Sequence, residues 1–287
     1  MALLPARRTR TGLGIVGKIA LYILLAIGTV SMLLPFVWMV STSLKEPGNI
    51  FLLPPQWVPI PPRWENYPDL LKVIPFHLLF LNSLKIALLS VTGALFANSM
   101  GAFAFARVRF PGRDPLFMVL LATMMIPGTV TLIPVFIIMK TLGWLDTHYP
   151  LIVPAYFGGA FGTFFLRQFF LGLPQDFVDS ARMDGCRFFG VYWRIFLPLA
   201  KPALATLAIF GFMGSWNDLI GPLIYLNTLE KLTLPLGLAI LKGGLRAPGH
   251  YTLVMAGATI SITPMLILFF SAQKYFVQAI VRSGLRA

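Results

Sequence analysis

Long apolar runs, rather than short alternations, organise this chain of 287 residues. Six stretches hold the roughly 20 mainly apolar residues that a helix needs to cross the hydrocarbon core of a bilayer. They are 21–40, 78–105, 115–139, 149–166, 203–226 and 252–273. The third has no charged residue, and the fourth, the shortest, contains Gly158, Gly159 and Gly162. The fourth is required if the loops on either side are to alternate between membrane faces. The pattern predicts an all-α, polytopic membrane protein with six transmembrane helices. It divides into an N-terminal segment 1–20, a first transmembrane helix 21–42, an outer loop 43–77, a core of five transmembrane helices 78–279 and a tail 280–287. No internal repeat, direct or inverted, is visible.

Composition supports the same class. Apolar residues make up 57% of the chain and charged residues 11%, and the mean hydropathy is +0.80. A soluble domain carries roughly 25% charged residues, so too few are present here to cover a water-facing surface. A net charge of +13 would suggest nucleic acid in a soluble protein, but no basic cluster is interleaved with aromatics. Membrane proteins instead gather Lys and Arg in cytoplasmic loops. With both termini cytoplasmic, 15 Lys and Arg fall inside and 7 outside, while Lys85 lies near the outer end of the second span, where it can snorkel. The charge bias therefore predicts both termini in the cytoplasm. Arg7, Arg8 and Arg10 ahead of an apolar run resemble a signal peptide. That run continues past Pro35 to Val40, longer than an h-region of about 7–15 residues, and reads as an uncleaved anchor. The single cysteine, Cys186, excludes an intrachain disulfide. His77, His148 and His250 are too scattered for a metal site.

Within the spans, Gly93, Ala97 and Gly101 recur every four residues, a stripe that lets another helix approach closely. Pro127, Pro134, Pro154, Pro222 and Pro264 each free a backbone carbonyl. Such breaks are tolerated where neighbouring helices or a wet cavity satisfy it, which favours a transport pathway over a passive anchor. Asp218 is the one carboxylate inside a predicted span, where a charge costs about 2.5–3.5 kcal/mol on insertion scales unless paired or wet. With Trp216 and Asn217 it offers an aromatic face and hydrogen-bonding groups suited to a sugar in a substrate pathway. The alternative is a cap on a helix break before Gly221-Pro222. The outer loop 43–77 holds eight prolines, together with Trp57 and Trp64. It predicts an ordered, extended cap at the membrane surface rather than a flexible linker.

The loop 167–202 between the fourth and fifth spans is too apolar to be a solvated connection. Pro174 suits a first helical position, and the helix it opens runs to about Met183, where Gly185 stops it in a left-handed cap. A second short helix, from about Phe188 to Phe196, ends at Pro198. Phe177, Ala181 and Gly185 share a face of the first helix. The small Ala181 and Gly185 leave room for a partner's backbone, and Asp179, Arg182 and Asp184 ring that face. This is the geometry of a docking knob.

The same segment resembles the coupling-loop motif of the permease subunits of ATP-binding-cassette importers, Glu-Ala-Ala-x-x-Asp-Gly-Ala followed by an aromatic, a hydrophobic residue and two prolines. Asp179-Ser180-Ala181 corresponds to the first triplet, Asp184-Gly185-Cys186 to Asp-Gly-Ala, with Arg182 and Met183 between them. Tyr192, Ile195, Pro198 and Pro202 complete the pattern. Asp179, Ser180 and Cys186 depart from it by small or same-charge changes. Asn82-Ser83, Phe110-Pro111-Gly112, Met125-Ile126-Pro127, Leu142-Gly143-Trp144 and Trp216-Asn217-Asp218 extend the resemblance to the carbohydrate-uptake branch, the maltose- and glycerol-phosphate-type permeases, and to the smaller permease of such systems.

The resemblance implies half of a translocation pathway for a sugar, polyol or sugar phosphate, working by alternating access in a bacterial or archaeal plasma membrane. It implies a sister permease, two cytoplasmic ATPase subunits and an extracytoplasmic solute-binding protein as partners, besides membrane lipid. In that family the loop inserts a short helix into a groove on the ATPase. The chain has no Gly-x-x-x-x-Gly-Lys-Ser/Thr motif, so it is not expected to be an enzyme or to bind a cofactor. ATP and Mg would sit on the partner. A stand-alone secondary transporter would need more intramembrane carboxylates and often inverted repeats. An intramembrane enzyme would need a converging catalytic set that the spans lack.

Overall fold

The computed structural model describes residues 15–243 and 249–284. Among these, all regular structure is helical, and four helical stretches are long and apolar enough to cross a membrane, or six if each of two bent pairs counts as one. An all-α polytopic protein results, with four candidate spans and up to the predicted six. The first helix, α1 (Ile15–Ser43), is about 43 Å long. It is followed by a loop and a short helix, α2 (Asn66–Val73), then by the long helix α3 (Phe76–Arg107). The cap is therefore partly helical, not extended throughout as its prolines suggest. Six of the eight prolines crowd into 47–62, and α2 begins beyond them, with Pro68 in its first turn.

The third predicted span is two helices, α4 (Arg113–Ala122) and α5 (Gly128–Thr141), whose axes differ by 100° across a break at Ile126-Pro127. A residue before proline is pushed out of the helical region, and Ile126 is extended accordingly, with φ −85° and ψ 114°. The fourth span begins as α6 (Tyr149–Ile152) and a 3-10 turn, breaks at Gly158-Gly159, and continues as α7 (Ala160–Leu171). Gly158 takes φ +79°, a conformation open to glycine.

The loop helices follow as α8 (Asp176–Met183), α9 (Phe188–Val191) and α10 (Leu197–Leu199). A π turn, Tyr192–Phe196, joins the last two, so the second loop helix runs through Pro198 rather than ending there. Widening to i→i+5 spacing relieves the crowding a proline ring imposes on the preceding turn. The fifth predicted span is also interrupted. α11 (Lys201–Trp216) gives way at Asn217–Leu219 to α12 (Ile220–Tyr225). α13 (Leu234–Gly243), a ten-residue apolar helix too short to cross, lies in what reads as an outer loop. The last helix, α14, spans Gly249–Gly284 and so continues into the predicted tail. Segment 1–14 and residues 285–287 lie outside the described residues.

α3 is the axis of the bundle, packed against α6, α7, α11 and α13. The small-residue stripe makes this approach possible. A Cβ at Gly93 would stand 2.3 Å from the Tyr156 ring, and one at Gly162 would stand 2.3 Å from the Asn98 amide. Two apolar clusters result. One, at the α2 end, joins Leu70, Phe76, Leu79, Trp216, Leu234 and Leu253. The other, at the α8 end, joins Phe103, Phe170, Val178, Tyr192 and Phe196. α1 leaves the bundle and touches α14 and its own loop. Its central apolar window has no buried residue, as befits a helix solvated by lipid.

Candidate functional site

α8 is a short, exposed helix with a defined start and stop. Asp176 and Asp179 occupy its first turn, where negative charge opposes the partial positive charge of the helix N-terminus. The Gln175 amide donates to Asp179 Oδ1 (3.3 Å) and the Ser180 hydroxyl to the Asp176 carbonyl (2.7 Å). Gln175 holds the N-cap position, so Pro174 stands one residue outside the helix rather than at its first position. At the other end Gly185 has φ +78°. The Gly185 N–H reaches the Arg182 carbonyl (3.0 Å) and the Cys186 N–H reaches the Ala181 carbonyl (2.9 Å), the paired bonds of a Schellman turn. The predicted left-handed cap is present, and a side chain at Gly185 would meet open space but a strained backbone.

The structure reverses one expectation. Ala181 is 5% exposed and packs, with Val178, into the chain's own cluster beneath α8. It does not face outward beside Gly185. The i, i+3 pair Val178 and Ala181 is the inward stripe of this helix, so the free surface is formed by the residues flanking it. Phe177 and Met183 are exposed, Met183 at 89%, and Asp176, Asp179, Ser180, Arg182 and Asp184 are exposed with them. The Arg182 guanidinium lies over the Phe188 ring at 4.8 Å. Cys186 is half-buried, its Cβ 3.8 Å from where a side chain at Gly190 would begin.

Tyr192 and Pro198 part company. Pro198 is exposed, while Tyr192 is buried and its hydroxyl pairs with Ser99 Oγ on α3 at 2.8 Å. Around Tyr192 the rings of Phe103, Phe170 and Phe196 meet mainly edge to face, with centroids 5.1–6.4 Å apart for the pairs that include Phe103. Arg107, the last residue of α3, closes this root. Its Nη2 donates to the carbonyls of Phe170 (2.6 Å) and Leu173, its Nη1 to Gln175 Oε1 (2.5 Å), and it stands 5.3 Å from the centre of the Phe196 ring. Sequence reasoning counted Arg107 as an inside charge and as the end of a run that resembles the family, without a packing role. The available signal was its place at the end of Ala-Phe-Ala-Phe-Ala-Arg, an apolar helix stopping on one donor-rich side chain.

The second predicted constellation is divided by the break after α11. The Trp216 indole is 3% exposed, stacks on Phe212 with centroids 5.5 Å apart and donates from Nε1 to the Ser261 carbonyl (3.1 Å). Trp216 and Asn217 border a cleft of about 270 Å³ with Leu238, Ser261 and Met265. Asp218 does not border it. Its Oδ1 accepts the N–H of Gly221 (3.1 Å), and a Cβ at Gly221 would stand 2.4 Å from Oδ2. Asp218 thus caps α12, the alternative weighed from sequence.

At the same end, Asp146 ties two connections together from a left-handed backbone (φ +55°). Oδ1 accepts the N–H groups of Asn227 (3.0 Å) and Thr228 (2.9 Å), and Oδ2 accepts the Thr228 hydroxyl and the Lys231 ammonium (2.8 Å). The Lys231 bond, then those from Thr228 and Asn227, hold this carboxyl well below the usual carboxylate range.

The family model for binding-protein-dependent transport system inner membrane components matches residues 93–282. The arabinooligosaccharides transport system permease protein AraQ of Bacillus subtilis is 37% identical over 72% of this chain and 73% of its own length. The galactooligosaccharides transport system permease protein GanQ of the same organism is 32% identical over 92% and 93%. The sn-glycerol-3-phosphate transport system permease protein UgpE of Yersinia pestis is 30% identical over 91% and 95%. A chain from the crystal structure of a bacterial ABC transporter involved in import of the acidic polysaccharide alginate superposes with a TM-score of 0.81 at 26% identity, covering 90% of this chain and 96% of that one.

Proposed function

Because the chain belongs to the family of binding-protein-dependent transport system inner membrane components and is a permease subunit of an ATP-binding-cassette importer, we propose that α8 is the element through which a cytoplasmic ATPase moves it. The observation that carries this is α8 itself, an exposed helix ended by a Schellman turn and rooted in the bundle by only one buried stripe. Asp179, Ser180, Arg182, Met183, Asp184 and Gly185, with Phe177, form the contact surface. Ala181, Cys186 and Tyr192 hold it to the bundle, and Pro198 ends the segment toward α11. ATP and Mg bind the partner, whose closure displaces α8. Through Tyr192, Phe196 and Arg107 that displacement reaches α3 and α7, a two-state relay rather than chemistry.

The α8 end faces the cytoplasm, with both termini, in a bacterial or archaeal plasma membrane. A sister permease completes the pathway, and an extracytoplasmic binding protein delivers the solute. The solute is a carbohydrate or a related polyol or sugar phosphate, a reading supported by what the relatives' names state of them. Trp216 and Asn217 border the pathway through their shared cleft.

The test is an affinity pull-down of the tagged chain from its native membrane beside a Gly185→Arg variant. The expected result is a Walker-motif ATPase recovered with the wild type and lost from the variant, and a sister permease recovered with both. An ATPase retained by the variant overturns the role of α8. For the pathway, Asp218→Asn keeps an acceptor for the Gly221 N–H, so normal uptake by an assembled variant assigns Asp218 to capping alone.

A further inference from the structure

The loop between α1 and α2 turns back along α1 instead of rising from it. The Arg63 N–H donates to the Leu44 carbonyl (2.8 Å), so residues 45–62 form an excursion closed at its base. The Ser41 hydroxyl donates to the Trp57 carbonyl (2.6 Å) and the Trp57 ring meets the Trp38 ring edge-on, centroids 5.1 Å apart. The Lys45 ammonium lies over the same Trp38 ring at 3.8 Å. Trp57 is therefore fixed about 3–7 Å inward of the end of α1 at Ser43, its backbone at the level of Ser41 and its ring at that of Trp38. On α1 this level is a boundary: the apolar run ends at Val40 and Ser41-Thr42-Ser43 follow.

The excursion at that level is apolar and uncovered. From Pro47 to Pro62 it has no charged residue. Leu53 is 90% exposed, Ile60 78% and Phe51 76%, and Val58 and Trp64 are also exposed. Pro54, Pro55, Pro59, Pro61 and Pro62 carry no backbone N–H, which removes donors that irregular backbone would leave unpaired in a poorly hydrated layer. The charged groups Arg63 and Lys72 both pair with Asp69 of α2. The exposed surface runs on from that of α1, whose central window has no buried residue.

We propose that this excursion lies in the lipid headgroup layer as an in-plane anchor, with Phe51, Leu53, Val58 and Ile60 directed into the acyl boundary and Trp57 and Trp64 at the interface. Amphipathic rings favour that layer, and burial of an apolar face into it follows the same physics as interfacial helices. The occupant is lipid, rather than a soluble partner, because the loop is fastened at the depth where α1 changes from apolar to polar. The anchor sets the height of α1 and of the cap together, since Trp38, Lys45 and Trp57 form one packed unit. The proposal rests on α1 crossing the bilayer.

The test uses the assembled transporter in proteoliposomes, with a photo-reactive benzophenone amino acid at Leu53 or Ile60. The same label at Leu24, Leu25 and Ile27, around α1, reports on lipid contact of that helix, and at Lys72 on the aqueous side. Phospholipid adducts at 53 and 60, with none at 72, are expected in the presence and absence of binding protein. Adducts to the sister permease or to the binding protein, or no adducts at 53 and 60 while α1 still labels lipid, overturn the anchor. Absence of lipid adducts at all three α1 positions overturns the membrane-spanning reading of α1 instead.

Discussion

At one end of the bundle α8 is held by buried rings. Val178 and Ala181 sit on Phe103, Phe170, Tyr192 and Phe196, and the Arg107 guanidinium ties three groups of the adjoining turn together. At the other end Asp146 holds Asn227, Thr228 and Lys231 by charge-assisted hydrogen bonds. Ring packing resists displacement in every direction and is indifferent to pH. Charge-assisted bonds are directional and fail when the carboxylate is protonated. A root of the first kind suits the proposed role of α8, passing a push into α3 and α7 without yielding. A tie of the second kind suits a junction between two connections that must keep their register.

Phe196→Ala should break the contrast most severely. Removing a buried ring from a packed cluster costs about 3–5 kcal/mol, and the variant should unfold earlier in a detergent thermal scan and lose ATPase recovery with it. Arg107→Ala comes next. It leaves the partly buried Leu173 carbonyl without its Arg107 donor, at about 1–3 kcal/mol, while the Phe170 carbonyl keeps the Leu173 N–H, and Arg107→Lys should restore part of the loss. Tyr192→Phe removes one hydrogen bond while keeping the ring and should cost about 1 kcal/mol, with ATPase recovery retained.

Asp146→Asn sharpens the other half. The folded carboxyl has a depressed pKa, so its contribution is fully present above the unfolded value of about 3.9 and is lost as pH falls through the folded one. The gap in thermal midpoint between wild type and variant should stay constant from pH 8 to 5 and close only in strong acid. A gap that closes between pH 7 and 5 would show that Asp146 is not held as described. Met183→Ala should leave stability within about 0.5 kcal/mol, as an exposed side chain does, and lower ATPase recovery. An equal loss of stability would make Met183 part of the root.

Much of this architecture was legible from residue order. Apolar runs of bilayer length read as helices, because lipid offers the backbone no hydrogen bonds, and four to six candidate spans followed. The stop at Gly185 was legible because a left-handed cap selects glycine, and the close approach along α3 because the stripe of small residues has no other use in a membrane. The breaks were legible only in part. Pro127 marked one, but the 100° turn between α4 and α5 depends on how the two halves pack.

What the order of residues determined by itself is class and placement: which segments are long and apolar enough to cross, where the loop carrying α8 falls, and which glycines the backbone requires. Those follow from local rules of hydrophobic length, turn geometry and proline sterics. Tertiary structure decided which way each side chain points. Phe177 and Ala181, four residues apart, lie only about 40° apart around the axis of α8, and the edge of the buried stripe falls between them, with Ala181 in the bundle and Phe177 outside. Arg107 became a clamp and Trp216 a core residue because their partners lie on other helices. Those contacts, far apart in the chain, leave no periodic trace within it.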